Sequence, residues 1–164
     1  MYKTNVKTAV SNGVDCGVYF VTQALNYNEG VEEANWVLNT IKGDTINCPV
    51  VIDVEWAGGG EGNNGRADFI TVEDRTNAIK GFCETIKKAG YEPMIYANKY
   101  WLTSFINISK LSSYKVWLAH YVKGAPENKS DYTGKYTYWQ YTSTGKVSRN
   151  WRICWFRYNS LINY

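Results

Sequence analysis

Cys48-Pro49-Val50-Val51-Ile52-Asp53-Val54-Glu55 decides the architecture of this chain: it is a nearly unbroken apolar run that stops at two carboxylates. A strand with one wet face alternates apolar and polar residues, whereas a strand of a parallel sheet, covered on both faces, is apolar throughout. The run therefore predicts a buried parallel strand. Asp53 and Glu55, two apart, are expected to project from the same face at its end. Directly after it, residues 57–65 read AGGGEGNNG, the one low-complexity stretch in the chain and a flexible loop by composition.

Working outward, strand and helix patterns alternate. Upstream, Tyr2 to Ser11 reads as a helix with Val6 and Val10 four apart, stopped by Asn12-Gly13. Asp15 to Val21 is a β-branched and aromatic strand. Glu29 to Ile41 spaces Val31, Ala34, Leu38 and Ile41 as a helix face, ended by Lys42-Gly43. Downstream, Thr71 to Ala89 carries Ile79, Phe82, Cys83 and Ile86 on one helical face. Glu92 to Ala97 then reads as a strand, residues 98–112 as short helical or irregular pieces, and Lys115 to Tyr121 and Lys135 to Tyr141 as two further strands. Alternating β and α units joined by short loops imply a parallel α/β fold, for which a (β/α) barrel of the TIM type is the natural candidate. The chain lacks a phosphate-cradling glycine fingerprint at a strand-to-helix turn, which tells against a nucleotide-binding version.

Composition narrows the partners. The 164 residues suffice for one domain or a piece of one, and 45% apolar with 20% charged residues suits a folded core. A net charge of +3 is dispersed along the chain with no block fitted to a nucleic-acid backbone. The four cysteines, Cys16, Cys48, Cys83 and Cys154, form no C-x-x-C pair, and a single histidine does not complete a usual zinc set. Free, mostly buried thiols and no metal are expected. The opening MYKTNVKTAVSNG lacks the apolar stretch of a signal peptide, and no run approaches the ~20 apolar residues of a membrane span. The 7 Trp, 14 Tyr and 5 Phe are an excess that a carbohydrate groove would use.

The chemistry centres on Asp53 and Glu55. At the C-terminal rim of a parallel barrel, two like charges in a partly desolvated site push their pKa values apart, so that one carboxyl keeps a proton to donate. The plainer reading, that D-x-E marks a solvated strand end, is equally consistent with spacing alone. Tyr19, Tyr96, Trp117 and Trp139 fall within or at the ends of strands, where the rim would collect rings able to stack on sugars. His120 alternates with Trp117, Ala119 and Tyr121 and is expected to face the helix layer in a structural role. Cys83 has no neighbouring base to activate it as a nucleophile.

Taken together and in order, Gly17-Val-Tyr19, Pro49-Val-Val-Ile-Asp-Val-Glu55, Gly90-Tyr-Glu-Pro-Met-Ile-Tyr-Ala-Asn98 with Trp101, Val116-Trp-Leu-Ala-His-Tyr121 and Tyr138-Trp-Gln-Tyr-Thr-Ser-Thr-Gly145 resemble glycoside hydrolase family 25. These are the lysozyme-type N-acetylmuramidases of phage endolysins and bacterial autolysins. The resemblance implies cleavage of the β-1,4 bond between N-acetylmuramic acid and N-acetylglucosamine in peptidoglycan, on a (β/α)-type barrel, without metal or organic cofactor. It implies Glu55 as the general acid. Asp53 would be its partner, stabilising either the substrate's N-acetyl group as it attacks the anomeric carbon or the oxocarbenium-like state. Tyr19, Tyr96, Trp117 and Gln140 would line the sugar groove. Adjacent carboxylates on one strand suit the substrate-assisted exception better than the two-sided pair of ordinary retaining enzymes.

The resemblance covers residues 1 to about 147, taken as a partial catalytic domain, with 148–164 as a divergent tail. The family's first two strands, the first ending in an Asp-Val-Ser type motif, have no counterpart here. Val147-Ser-Arg-Asn-Trp-Arg-Ile-Cys-Trp-Phe-Arg-Tyr-Asn159 stands where the family has a last strand with an Asp-x-Asn type sequence, and reads as a shifted frame would. Loss of those strands would expose an edge at Asp15 to Val21 and another near the C-terminus. Three outcomes follow: the tail, with Trp151, Ile153, Trp155, Leu161 and Ile162, patches the gap; a second chain does so in a homo-oligomer; or the product is poorly stable. A catalytically impaired glycan-binding remnant is the alternative to an active muramidase.

Overall fold

The computed structural model describes residues 2–57 and 65–145, together with the backbone of 153–157. Most of the glycine-rich loop, the 147/148 boundary, the Cys154 thiol, and Trp151, Leu161 and Ile162 of the tail lie outside the described residues. Five strands, β1 (Asp15–Val21), β2 (Val50–Asp53), β3 (Pro93–Asn98), β4 (Lys115–Ala119) and β5 (Tyr138–Gln140), form a curled half-barrel. β6 (Ile153–Arg157) joins it outside β1, so the order is β5-β4-β3-β2-β1-β6 and every pairing is parallel. The register of β6 runs from Asp15↔Ile153 to Tyr19↔Arg157.

Helix α1 (Tyr2–Ser11) precedes β1, α2 (Tyr27–Ile41) links β1 to β2, and α3 (Val72–Lys88) links β2 to β3. The shorter α4 (Lys99–Ser104) and a 3-10 turn (Ile108–Leu111) link β3 to β4. Their starts are written locally. The side chains of Asn26, Thr71 and Asn98 accept from the backbone N–H of Glu29, Asp74 and Trp101, satisfying donors that the first turn leaves over. Glu73 and Asp74 at the start of α3 and Lys87 and Lys88 at its end complement the helix dipole.

Registered neighbours in a parallel sheet project from the same face, and that face alternates along each strand. Val18, Phe20, Val50, Ile52, Ile95, Ala97, Val116 and Leu118 form the helix-side face, buried with Ala34, Val37, Ile41, Ile79, Phe82 and Ile86 in one core. The alternate residues, among them Asp53, Tyr96, Trp117 and Tyr138, stand in register across the other face. The sheet thus has an aliphatic side against helices and a polar, aromatic side.

Several sequence expectations shift. β2 ends at Asp53, so Glu55 lies in a bend beyond the strand rather than on it. β4 and β5 are shorter than 115–121 and 135–141. The buried face of α2 is Gly30, Glu33, Ala34, Val37 and Ile41, with Val31 and Leu38 only half-buried, because the helix turns its glycine and smallest residues toward α3. Trp139 belongs to the helix side, packed against the core with its Nε1–H donating to the His120 carbonyl at 2.9 Å, and does not reach the rim face. Cys16, Cys48 and Cys83 are free thiols, and burial pushes the ionisation of Cys83 far up. Among the described residues, no helix is long and apolar enough to cross a membrane.

The close approach of α2 and α3 depends on two glycines. A Cβ on Gly30 would collide with the carbonyl of Ala78, and one on Gly81 with the carbonyl of Tyr27. Both obstacles are helix backbone, which cannot rotate aside as a side chain would. Gly81→Ala is therefore expected to cost about 1–3 kcal/mol despite alanine's better helix propensity, read as a lower urea midpoint at unchanged slope.

Candidate active site

The site starts where the ladder stops. Thr22 N–H donates to the Asp53 carbonyl at 3.0 Å and Val54 N–H to the Tyr96 carbonyl at 2.9 Å, which fixes the peptide unit between Asp53 and Val54 from both neighbouring strands. Asp53, in register with Tyr96 of β3 and Val21 of β1, is buried at 5% exposure, while Glu55 is half-buried.

Tyr96 lies at the centre of this face. Its hydroxyl donates to Gln140 Oε1 at 2.8 Å, and its ring meets Trp117 edge-on at 5.1 Å between centroids. Trp117 in turn meets Tyr138 at 6.4 Å. Burial first, then the charges of Asp53 and Glu55, and after them Tyr121 and Tyr19, push the Tyr96 phenol well above its usual range. The Tyr96 side chain thus lies in the field of both carboxylates, with its hydroxyl on Gln140 and its ring on Trp117. Asp53, Tyr96 and Trp117 stand in register on this face and Gln140 is bonded to Tyr96, while Glu55 follows two residues after Asp53. Tyr121, more than half exposed, and Tyr138 join the set; each belongs to a matched motif, but spacing does not tell which motif aromatics face the carboxylates. His120 faces elsewhere: its Nδ1 lies 2.8 Å from Ser130 Oγ and 3.6 Å from Asp131 Oδ1, which also pairs with Lys99.

A buried polar network borders the carboxylates, and periodicity gives no hint of it. Asp68, 2% exposed, accepts from the N–H of Ala57 at 3.2 Å and of Gly65 at 2.8 Å. Arg75, 4% exposed, donates to the carbonyls of Ala67, Asp68 and Ile70, and its guanidinium lies 4.4 Å over the Trp101 ring. Desolvation lowers Arg75 to about 10, partly offset by the charge of Asp68, so it stays cationic at neutral pH. Glu33 accepts from Thr22 Oγ1 and Gln23 N–H, and Gln23 Oε1 accepts from Ala67 N–H. Arg66 grips both oxygens of Glu29, tying the 65–70 turn to the start of α2.

Two acidic groups beside a row of rings and amides, at the C-terminal end of parallel strands, suit acid chemistry on a sugar. The family model of glycosyl hydrolases family 25 matches residues 1–149. The chain belongs to glycosyl hydrolases family 25. An autolytic lysozyme of Clostridium acetobutylicum is 24% identical over 147 residues, covering 90% of this chain and 40% of that protein. The modular autolysin LytC of Streptococcus pneumoniae, solved in complex with a synthetic peptidoglycan ligand, aligns with a TM-score of 0.70 at 25% identity over 88% of this chain. The modular Cpl-1 endolysin, solved with a peptidoglycan analogue, shares the fold at a TM-score of 0.58 and 22% identity over 77% of this chain. This family 25 chain spans 40% of the lysozyme, 34% of LytC and 36% of Cpl-1.

Two measurements check the geometry. Removing a negative charge beside a phenol favours the phenolate, so Asp53→Asn is expected to move the Tyr96 ionisation down toward the ordinary value of about 10, followed by the ring carbon shift in an NMR titration. Arg66 holds the Glu29 carboxyl below the usual glutamate range, so the pair's stabilisation is complete above about pH 4.3 and is lost as pH falls through the lowered value. Arg66→Ala should accordingly destabilise by about 0.5–1 kcal/mol at neutral pH, and the gap to the parent should close in acid denaturation profiles.

Proposed function

We propose that this chain is the catalytic portion of a peptidoglycan N-acetylmuramidase, cleaving the β-1,4 bond between N-acetylmuramic acid and N-acetylglucosamine. The observation that carries the reading is the registered row of Asp53, Tyr96 and Trp117, with Gln140 bonded to Tyr96 and Glu55 two residues beyond Asp53, within a family 25 chain. Glu55 gives its proton to the glycosidic oxygen as the bond from that oxygen to the anomeric carbon breaks. The carbonyl oxygen of the muramyl N-acetyl group attacks the same carbon, and Asp53 stabilises the positive charge that develops on the amide. Water then adds at the anomeric carbon as the bond from the N-acetyl oxygen to that carbon breaks and the acetamide is restored; the water gives up a proton that leaves Glu55 protonated again, so neither carboxyl is consumed.

Tyr19, Tyr96, Trp117 and Gln140 line the groove in this reading, the rings stacking on pyranose faces. Residues 1–147 form the catalytic portion and 148–164 the divergent tail, and β6 takes on β1 the place of the strand that family members pair there.

The test uses purified Gram-positive walls and counts new reducing ends. Glu55→Gln is expected to lower kcat about 10²–10⁴-fold and Asp53→Asn about 10²–10³-fold, with wall binding retained. Equal clearing by the parent and Glu55→Gln would reject Glu55 as the acid. Wall binding by the parent without release of reducing ends would assign the chain as a glycan-binding remnant.

A further inference from the structure

Glu55 is the acid in the reading above, and it lies in a bend beyond the last residue of β2. Its backbone is bracketed by two fixed points. One is Val54, whose N–H is bonded to the Tyr96 carbonyl; the other is Ala57, whose N–H is bonded to Asp68 Oδ1. The second oxygen of the same carboxylate takes the N–H of Gly65, so one buried side chain joins the residues that flank the 58–64 segment. Gly65 is pressed against this junction: a Cβ there would come within 2.5 Å of Asp68 Oδ1 and 2.8 Å of Gln23 Oε1. The backbone of Asp68 is itself held by Arg75 through the carbonyls of Ala67, Asp68 and Ile70.

We propose that Asp68 is a positioning residue for catalysis, fixing the direction of Glu55 by clamping Ala57 and Gly65 to a single buried carboxylate. The proposal rests on the assignment of Glu55 as the acid. Its chemistry is that of an acceptor-only group, since an ionised carboxylate offers lone pairs to two backbone donors and an amide of the same shape turns a donor toward one of them. Asp68 touches no reacting atom. Its effect on rate comes through placement of the acid, where an error of ~1 Å costs on the order of 10²-fold.

The experiment compares the full chain with Asp68→Asn and, by an independent route, Gly65→Ala. Both are expected to lower kcat on peptidoglycan about 10–10²-fold with KM within about twofold, and to shift the alkaline limb of the kcat profile, which reports the proton on Glu55. Both should also speed amide exchange at Ala57 and Gly65 while α2 and α3 keep parental protection. Unchanged kcat per folded molecule, or loss of protection spread through α2 and α3 with an unmoved pH profile, would overturn the proposal and leave Asp68 a structural group. If the parent cleaves no glycan, the function fails instead. Asp68 is then judged on exchange at Ala57 and on the Glu55 carboxyl carbon titration, where parental behaviour in Asp68→Asn would overturn the clamp.

Discussion

A parallel sheet with helices against only one face imposes a two-residue rhythm on every strand, and the rest of this structure depends on it. One set of side chains must be aliphatic to exclude water beneath α2 and α3; the alternate set is released from that duty. Val50 and Ile52 meet the first demand, and Val51 and Asp53 occupy the released positions. Because neighbouring strands are in register, Asp53, Tyr96, Trp117 and Tyr138 stand as consecutive members of one row, drawn from parts of the sequence far apart. The polar, aromatic face is therefore a consequence of the packing that makes the core, since a slip of one residue in any strand would send its part of the row into the helices.

The elements with a strong period were legible. The bounds of α1 and β1 follow from Tyr2 to Ser11 and Asp15 to Val21 as read, and α3 is announced by Thr71, four buried apolar residues and Ala89-Gly90. Legibility failed where tertiary contacts overrule local pattern. Val31 and Leu38 carry the right spacing for a buried face, but with Gly30 and Gly81 bringing the helix axes close, it is Gly30, Glu33 and Val37 that join Ala34 and Ile41 in the interior. Trp139 reads as a rim aromatic because it falls within a strand, and the alternation that places Gln140 by Tyr96 sends Trp139 the other way. Asp53, Tyr96, Trp117 and Gln140 could be named because their motifs are short and ordered; that they stand on one face depends on register, which no single segment encodes.

Asp68, Arg75 and Glu33 illustrate a further limit. Each is a charge at 1–4% exposure, costly to bury, and none falls in a motif or an apolar stripe. Their partners are mostly backbone groups: the amides of Ala57, Gly65 and Gln23, and the carbonyls of Ala67, Asp68 and Ile70. Backbone partners are invisible to residue-type reasoning because every position offers them. Such networks add little net stability once desolvation is counted, but they restrict a turn to one arrangement, and this turn adjoins both carboxylates.

The same indifference of backbone bonding to side-chain identity accounts for the other edge. A buried strand whose outer N–H and C=O groups lack partners costs about 1–3 kcal/mol for each orphaned group, a large share of a total of about 5–15 kcal/mol. β1 carries Cys16, Val18 and Phe20 at 4% exposure or less, so its edge has to be closed. What closes it needs extended backbone in parallel register, and Ile153–Arg157 supplies that across Asp15 to Tyr19. A ladder asks for φ and ψ before it asks for a particular side chain. For that reason a segment whose apolar pattern suits neither a helix face nor an alternating strand pairs along β1, while the aliphatic core and the polar, aromatic face are specified by residues ahead of it.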